Sequence, residues 1–300
     1  MSNIDLKRGK IGAHNNWKII EDTLIKNLKS NKKITFVSFC EMYFYKGGKE
    51  ILSDWYGIIH DPEDSFNYYS NKNILNHSAF KKSLPYCKGL FCMSKKLSKW
   101  IMNILKPNFF VETIYHPLSS KNLLQWKFEK FNLNQKIYQI GNWLRCTYSI
   151  YKLDCNNFKK CILPFNGRMK NELNYFLKRD KISLSELEKK SVIEVSQISD
   201  ENYNKIFENS IIFLNLYSST CNNIIIECIK ANCPLLINRL EPIEDYLGKD
   251  YPFFYSNLED AKNKLNDLEL IKKTNRYLID LDKSRFETEH FINSINKQIN

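Results

Sequence analysis

Residues 211–248 read IIFLNL, YSSTCNN, IIIECIKANC, PLLIN and RLEPIEDYLG in turn. The first six form a nearly continuous apolar run, as expected of a strand buried on both faces of a parallel sheet. A loop of small hydroxyl and amide side chains follows. The spacing then predicts a helix over residues 222–231 and a second strand over 234–238. A strand, a helix and another strand in so short a span indicate a βαβ unit of a doubly wound sheet.

The same grammar extends outward in both directions. Strands are predicted over residues 136–141, 161–165, 192–195 and 253–255. Helical spacing marks 144–153, 168–178 and 201–209. The first half is α/β as well, with a helix over 17–28 and strands over 34–39, 57–60, 89–93 and 110–115. A further helix spans 95–104. The polar, aromatic-dotted stretch 119–134 is the expected interdomain linker. The expected boundaries are an N-terminal Rossmann-like domain over 1–133, a C-terminal one over 134–275 and a helical tail over 276–300. At 300 residues the chain suits two domains of this kind.

The loop after residue 216 carries the chemistry. Ser218, Ser219, Thr220, Asn222 and Asn223 lie where a strand ends and a helix begins. Such residues cap free backbone N–H groups, and the same N–H groups and the helix dipole favour an anion. In a parallel sheet this is the carboxyl edge, where open α/β folds bind ligands. Glu227 stands four residues after Asn223 and so shares its face of the helix. It cannot bond phosphate, but it can accept from the vicinal hydroxyls of a ribose. The plainer alternative is a capped helix with an exposed glutamate.

Composition narrows the class. No run of 18 apolar residues exists, and the first residues lack the apolar core of a signal peptide. Nine cysteines, with no CxxC pair and no histidine at metal-ligand spacing, imply free thiols, a reducing compartment and a cytoplasmic location. No strand ends in an acidic pair, so neither a metal nor another cofactor is expected. The formal net charge is +12, and residues 1–133 hold 21 Lys+Arg against 11 Asp+Glu. That excess suits an acidic or membrane-surface partner. It equally suits a lysine-rich solvated surface arising from coding bias. A basic binding module for nucleic acid is the alternative function. The lysines are dispersed, however, and no helix-turn-helix, zinc or RNP-like pattern accompanies them.

Residues 222–248 resemble the nucleotide-sugar half of GT-B glycosyltransferases of the glycogen-synthase-like superfamily (glycosyltransferase group 1, family 4-like). Glu227, Pro234 and Glu244 stand at the matching positions. Gly141, Asn142 and Arg145 resemble the start of that domain, where a cation meets the diphosphate. His60, in WYGIIHDP (55–62), resembles the histidine facing the cleft from the first domain. Residues 87–94 and Tyr115-His116-Pro117 resemble later strand ends of that domain. Two departures stand out. Ser219 occupies the place of a second glutamate common in retaining members, and Asn142 occupies that of an arginine. Retaining and inverting outcomes therefore both stay open.

The resemblance implies two Rossmann-like domains with parallel sheets and an active site in the interdomain cleft. It implies a metal-independent hexosyltransferase with a nucleotide-sugar donor such as a UDP or GDP sugar. The acceptor would be a glycan, lipid or protein. Gly141, Asn142, Arg145, Ser218, Ser219, Thr220, Asn222, Asn223 and Glu227 would bind the donor. His60 and Glu244 would be catalytic, and His116 would lie on the acceptor side. Lys170 is a second candidate for the diphosphate. His14, His77 and His290 are read as surface residues.

Overall fold

In a computed structural model of the chain, the described residues are 3–7, 16–63, 74–118, 123–155, 157–163, 169–183, 185, 187, 192–195 and 198–300. They divide into two compact units. The first comprises Met1–Ser119, Ser219–Asn223 and Asp282–Asn300, and the second Ser120–Ser218 and Ile224–Leu281.

The first unit is built on five strands: β1 (Ile4–Lys7), β2 (Ile34–Val37), β3 (Trp55–Ile59), β4 (Cys87–Cys92) and β5 (Phe110–Thr113). They lie side by side in chain order, every pair parallel. Successive strand residues face opposite sides, so the sheet carries a core on each face. Phe36, Ile58 and Phe91 pack under Trp17, Ile20 and Leu24 of the helix Asn16–Asn27. Val37, Ile59, Leu90 and Cys92 pack against Phe44, Phe80, Leu97 and Ile101 on the other face.

The chain end belongs to this unit. Phe291, Ile292, Ile295 and Ile299 of the helix Thr288–Ile299 join the core beneath Trp17. Their spacing makes an apolar stripe that has to be buried. The expected tail from 276 therefore divides. The helix Leu268–Asp280 stays with the second unit, and the residues from Asp282 complete the first.

Among the described residues the second unit has six strands: β6 (Lys136–Ile140), β7 (Lys159–Leu163), β8 (Ile193–Glu194), β9 (Ser210–Leu214), β10 (Leu235–Asn238) and β11 (Phe254–Tyr255). Their order is β11-β10-β9-β6-β7-β8, all parallel. From β6 the chain winds outward through β7 to β8, then returns to place β9 on the other side of β6. The strand order thus reverses between β6 and β9, which makes their carboxyl ends a topological switch point.

Two expectations change here. The stretch expected as a linker contains a helix, Phe128–Asn134, whose Phe131 is buried. Trp126 donates from its backbone to Ala231 and from its indole to Ser210, at 2.8 and 2.9 Å. These bonds tie the segment into the second unit, so the first compact unit ends near residue 119 and not at 133. The helix expected over 144–153 shrinks to one turn, Ser149–Lys152. Residues 141–148 instead bond to the continuation of β9, with Cys146 donating to Asn215 at 2.8 Å and Tyr217 donating to Leu144 at 3.0 Å. The described part of the expected strand 161–165 ends at Leu163, and Lys170 lies in the helix Met169–Arg179. The Lys170 side chain and His14 fall outside the described residues.

Candidate donor and acceptor sites

At the carboxyl end of β6 the chain reverses on Gly141, whose φ of +74° is a left-handed value that glycine tolerates best. Asn142 follows, and Leu144 at φ +57° completes the turn. Arg145 is brought back beneath the loop. It is 8% exposed, bridges Leu216 in antiparallel fashion, and donates from Nη1 to the Trp143 carbonyl at 3.2 Å. A Cβ on Gly141 would stand 2.9 Å from that same Nη1. The missing side chain is therefore what lets the guanidinium lie against the strand end.

Beside it, Asn238 at the end of β10 clamps the extension of β9. Its Oδ1 accepts from the Leu216 N–H at 2.7 Å, and its Nδ2 donates to the Leu216 carbonyl at 2.9 Å. The chain then passes through buried Ser218 and enters the helix Asn223–Ala231. Glu227 lies on that helix, 3% exposed. A buried carboxylate needs a hydrogen-bond donor, and the Tyr203 hydroxyl supplies one to Oε2 at 2.7 Å. Burial first and Glu227 second push the Tyr203 phenol well above its ordinary value, while Arg145 pulls it down. Arg145, Tyr203 and Glu227 thus share one polar locale at the switch point.

Glu244 is half-buried on the helix Glu241–Leu247, which follows β10. Its carboxylate is held by Arg239 at 2.5 Å, and that guanidinium also lies 4.6 Å over the Phe254 ring. A further network flanks the loop after β6. Asp180 accepts from Arg179 at 2.7 and 2.9 Å and from the Tyr148 hydroxyl at 2.5 Å. Arg179 chiefly holds the Asp180 carboxyl below its usual range. The same guanidinium lies 4.3 Å over Tyr217, which stacks on Phe176.

The hydroxyl-rich loop is divided between the two units. Ser218 belongs to the second unit, whereas Ser219–Asn223 pack within the first. Thr220 donates its hydroxyl to the His60 carbonyl, and Cys221 packs against the core around Trp17. The Ser219 hydroxyl is buried without a hydrogen-bond partner among the described residues. Asn222 and Asn223 are partly buried, and the Asn223 side chain sits close enough to His116 to raise its proton affinity.

His60 follows β3 and is 6% exposed, with its ring 3.9 Å from Phe39 and 4.3 Å from Trp17. Burial lowers its pKa to about 3, so the ring is neutral. Glu41, just after β2, accepts from the backbone N–H groups of His60 and Asp61, both at 2.8 Å. Burial raises its pKa to about 7, against the pull of those N–H groups. The 3.9 Å approach of His60 Nδ1 to Glu41 Oε2 is therefore not an ion pair at neutral pH. His116, after β5, donates from Nδ1 to the Pro117 carbonyl at 2.9 Å, which fixes its tautomer. Burial lowers its pKa to about 4. The first unit thus presents two neutral imidazoles, both in contact with Trp17.

Sequence reasoning missed Tyr203, Glu41 and Asp180. Glu41 had a signal in its position in the first turn of the helix Cys40–Tyr45, which follows β2. Tyr203 had none, being one tyrosine on a polar helix. His290 is exposed as expected, but His77 is half-buried against Phe44 and Tyr45. All nine cysteines are free. Among the described residues no three His, Cys, Asp or Glu side chains gather to hold a metal ion, and no helix is long and apolar enough to cross a membrane.

No protein-family model matches the chain. Over 267 residues it is 22% identical to the nucleomorph tubulin gamma chain of Guillardia theta, a match that takes in 85% of this chain and 57% of the tubulin. Several solved structures share its fold. A point mutant of S. aureus TarM, in complex with Fondaparinux, alpha-GlcNAc-glycerol and UDP, superposes with a TM-score of 0.61 at 13% identity, over 95% of this chain and 59% of TarM. Anabaena HepE, in complex with UDP and glucose, gives 0.64 at 11% identity, over 95% and 80% of the two chains. T4 phage BGT, with its UDP-glucose substrate, gives 0.59 at 11% identity, over 99% of both chains. The chain spans less than two thirds of the tubulin and of TarM. At these identities the likeness establishes the fold. The chain has the two-domain, parallel-sheet GT-B fold of glycosyltransferases.

Proposed function

We propose that this protein is a glycosyltransferase that takes a sugar from a nucleotide-sugar donor and passes it to an acceptor hydroxyl. The observation that carries the reading is the grouping of Arg145, Glu227 and Tyr203 at the carboxyl ends of β6 and β9, the switch point of a GT-B second sheet. Arg145 is suited to the diphosphate, because a guanidinium pairs bidentately with phosphate oxygens. Gly141 and Asn142 let the backbone approach, and the N-terminus of the helix Asn223–Ala231 adds its dipole. Glu227 takes the ribose. Glu244, already ordered by Arg239, lies after the neighbouring strand and serves the nucleotide or the sugar.

In this mechanism the bond between the anomeric carbon and the diphosphate oxygen breaks as the acceptor oxygen attacks, and the acceptor's hydroxyl proton passes to the released diphosphate or to water. Negative charge grows on the leaving diphosphate. Arg145 and the helix terminus oppose it from fixed positions, which is the main source of acceleration. No metal is assigned. His60 and His116, neutral and on the first unit, serve the acceptor side as hydrogen-bonding groups. The relatives with UDP or UDP-glucose bound make UDP the first nucleotide to test. The acceptor is a glycan, lipid or protein, and the basic first half favours an acidic one.

Calorimetric titration with UDP and GDP tests the assignment. Glu227→Ala is expected to lose about 1.5–3 kcal/mol of binding, the range for hydrogen bonds to a charged group. Unchanged affinity in the variant would refute it. Binding of nucleic acid without turnover of any nucleotide sugar would favour the basic-module alternative.

A further inference from the structure

Glu227 reaches 2.7 Å from the Tyr203 hydroxyl while only 3% exposed. Tyr203 comes from the helix Asp200–Asn209, on the crossover that leads into β9. Its ring packs edge-on against Phe207, with centroids 5.3 Å apart, so the phenol is anchored from behind. Burial and the neighbouring carboxylate keep that phenol protonated throughout the neutral range. Its hydroxyl is a standing donor and Glu227 Oε2 the acceptor.

A glutamate side chain has three torsions to fix. Fixing them only when a ligand arrives costs conformational entropy that would be taken from affinity. A carboxylate already bonded to a rigid phenol avoids that cost, and its partial desolvation is offset before the ligand enters. We propose that Tyr203 is a positioning residue of the donor site, holding the Glu227 carboxylate in the orientation that receives the ribose hydroxyls. This rests on the donor reading above. It adds a residue that acts through Glu227 and sets how strongly the site distinguishes a ribose from a sugar lacking those hydroxyls.

The test is calorimetric titration of the full chain with UDP and with 2′,3′-dideoxy-UDP. The wild type is expected to prefer UDP by about 10-fold or more, the equivalent of one good hydrogen bond to a charged group. Tyr203→Phe is expected to weaken UDP severalfold and to leave dideoxy-UDP unchanged, so that the preference shrinks. Equal losses for both ligands would show a merely structural role and overturn the proposal, as would no loss for either. Glu227→Ala separates the two levels. If it weakens UDP and Tyr203→Phe does not, positioning alone is wrong. If Glu227→Ala leaves UDP affinity intact, or the wild type binds neither ligand, the donor reading fails and this proposal fails with it. Should Tyr203→Phe not fold because a buried carboxylate is left unsatisfied, the Glu227→Ala background removes that carboxylate. There, adding Tyr203→Phe is expected to cost no further UDP affinity, and a further loss would overturn the coupling.

Discussion

Gly141→Ala separates backbone strain from function at the proposed donor site. The native φ of +74° is disfavoured for alanine by about 1–2 kcal/mol. The new Cβ would also stand 2.9 Å from Arg145 Nη1 and 3.1 Å from Cζ, so the guanidinium has to shift. Arg145 is 8% exposed and bonded to the Trp143 carbonyl, and its room to move is small. If Arg145 binds the diphosphate, displacing it removes up to about 1.5–3 kcal/mol of UDP binding. Gly47→Ala is the control. Its φ is +87° and nothing lies within 4 Å of the added Cβ, so it carries the strain without the clash. Thermal unfolding followed by circular dichroism should show both variants lowered by roughly 2–8 °C. Titration with UDP should show a loss in Gly141→Ala alone. If Gly141→Ala is destabilised like the control yet binds UDP as the wild type does, Arg145 is not the diphosphate contact.

Release of UDP from a UDP sugar should survive EDTA. Loss on chelation with recovery in Mg²⁺ or Mn²⁺ would contradict the metal-free assignment. His116→Gln should change the acid sensitivity of folding. His116 has a folded pKa of about 4, below the ordinary 6.5, so the unfolded chain takes up the proton first. The stability it contributes is complete above pH 6.5 and is lost as pH falls towards 4. The wild type should therefore lose ground against the variant over that window, by at most about 1.4 kcal/mol per pH unit. Parallel urea titrations at pH 7 and 5 would read it, and identical pH dependence would contradict the burial of a neutral imidazole. Raising salt should increase the apparent KM for an acidic acceptor more than the Kd for donor, because exposed charges are screened over about 8 Å at physiological ionic strength. A salt-independent acceptor KM would leave the lysine excess as solvation.

What could be read from the sequence was what depends on local pattern. The apolar run of β9, the following helix and the β10 run announce a parallel sheet because each buries both faces. The place of Glu227 on the helix Asn223–Ala231 was legible for the same reason, since helical spacing from Asn223 fixes its side. Features set by distant partners were not legible. Leu144 and Arg145 have ordinary helical neighbours, yet the backbone there bonds to residues 215–217 and leaves the helix. The Thr220 hydroxyl donates to the His60 carbonyl, 160 residues away, a partner that no local pattern indicates. The apolar stripe of the helix Thr288–Ile299 was visible in principle, but its destination was not, because a stripe says only that something covers it. Tyr203 meets Glu227 across 24 residues and two elements, and no spacing rule connects them.

The proposed function requires a nucleotide-sugar donor to bind at the switch point of the second sheet. A crystal structure of the chain with UDP tests it most directly. The diphosphate is expected against Arg145 and the loop after Gly141, with the ribose hydroxyls on Glu227 and the Tyr203–Glu227 bond retained. UDP bound elsewhere, or turned so that its ribose meets neither Glu227 nor its helix, would contradict it.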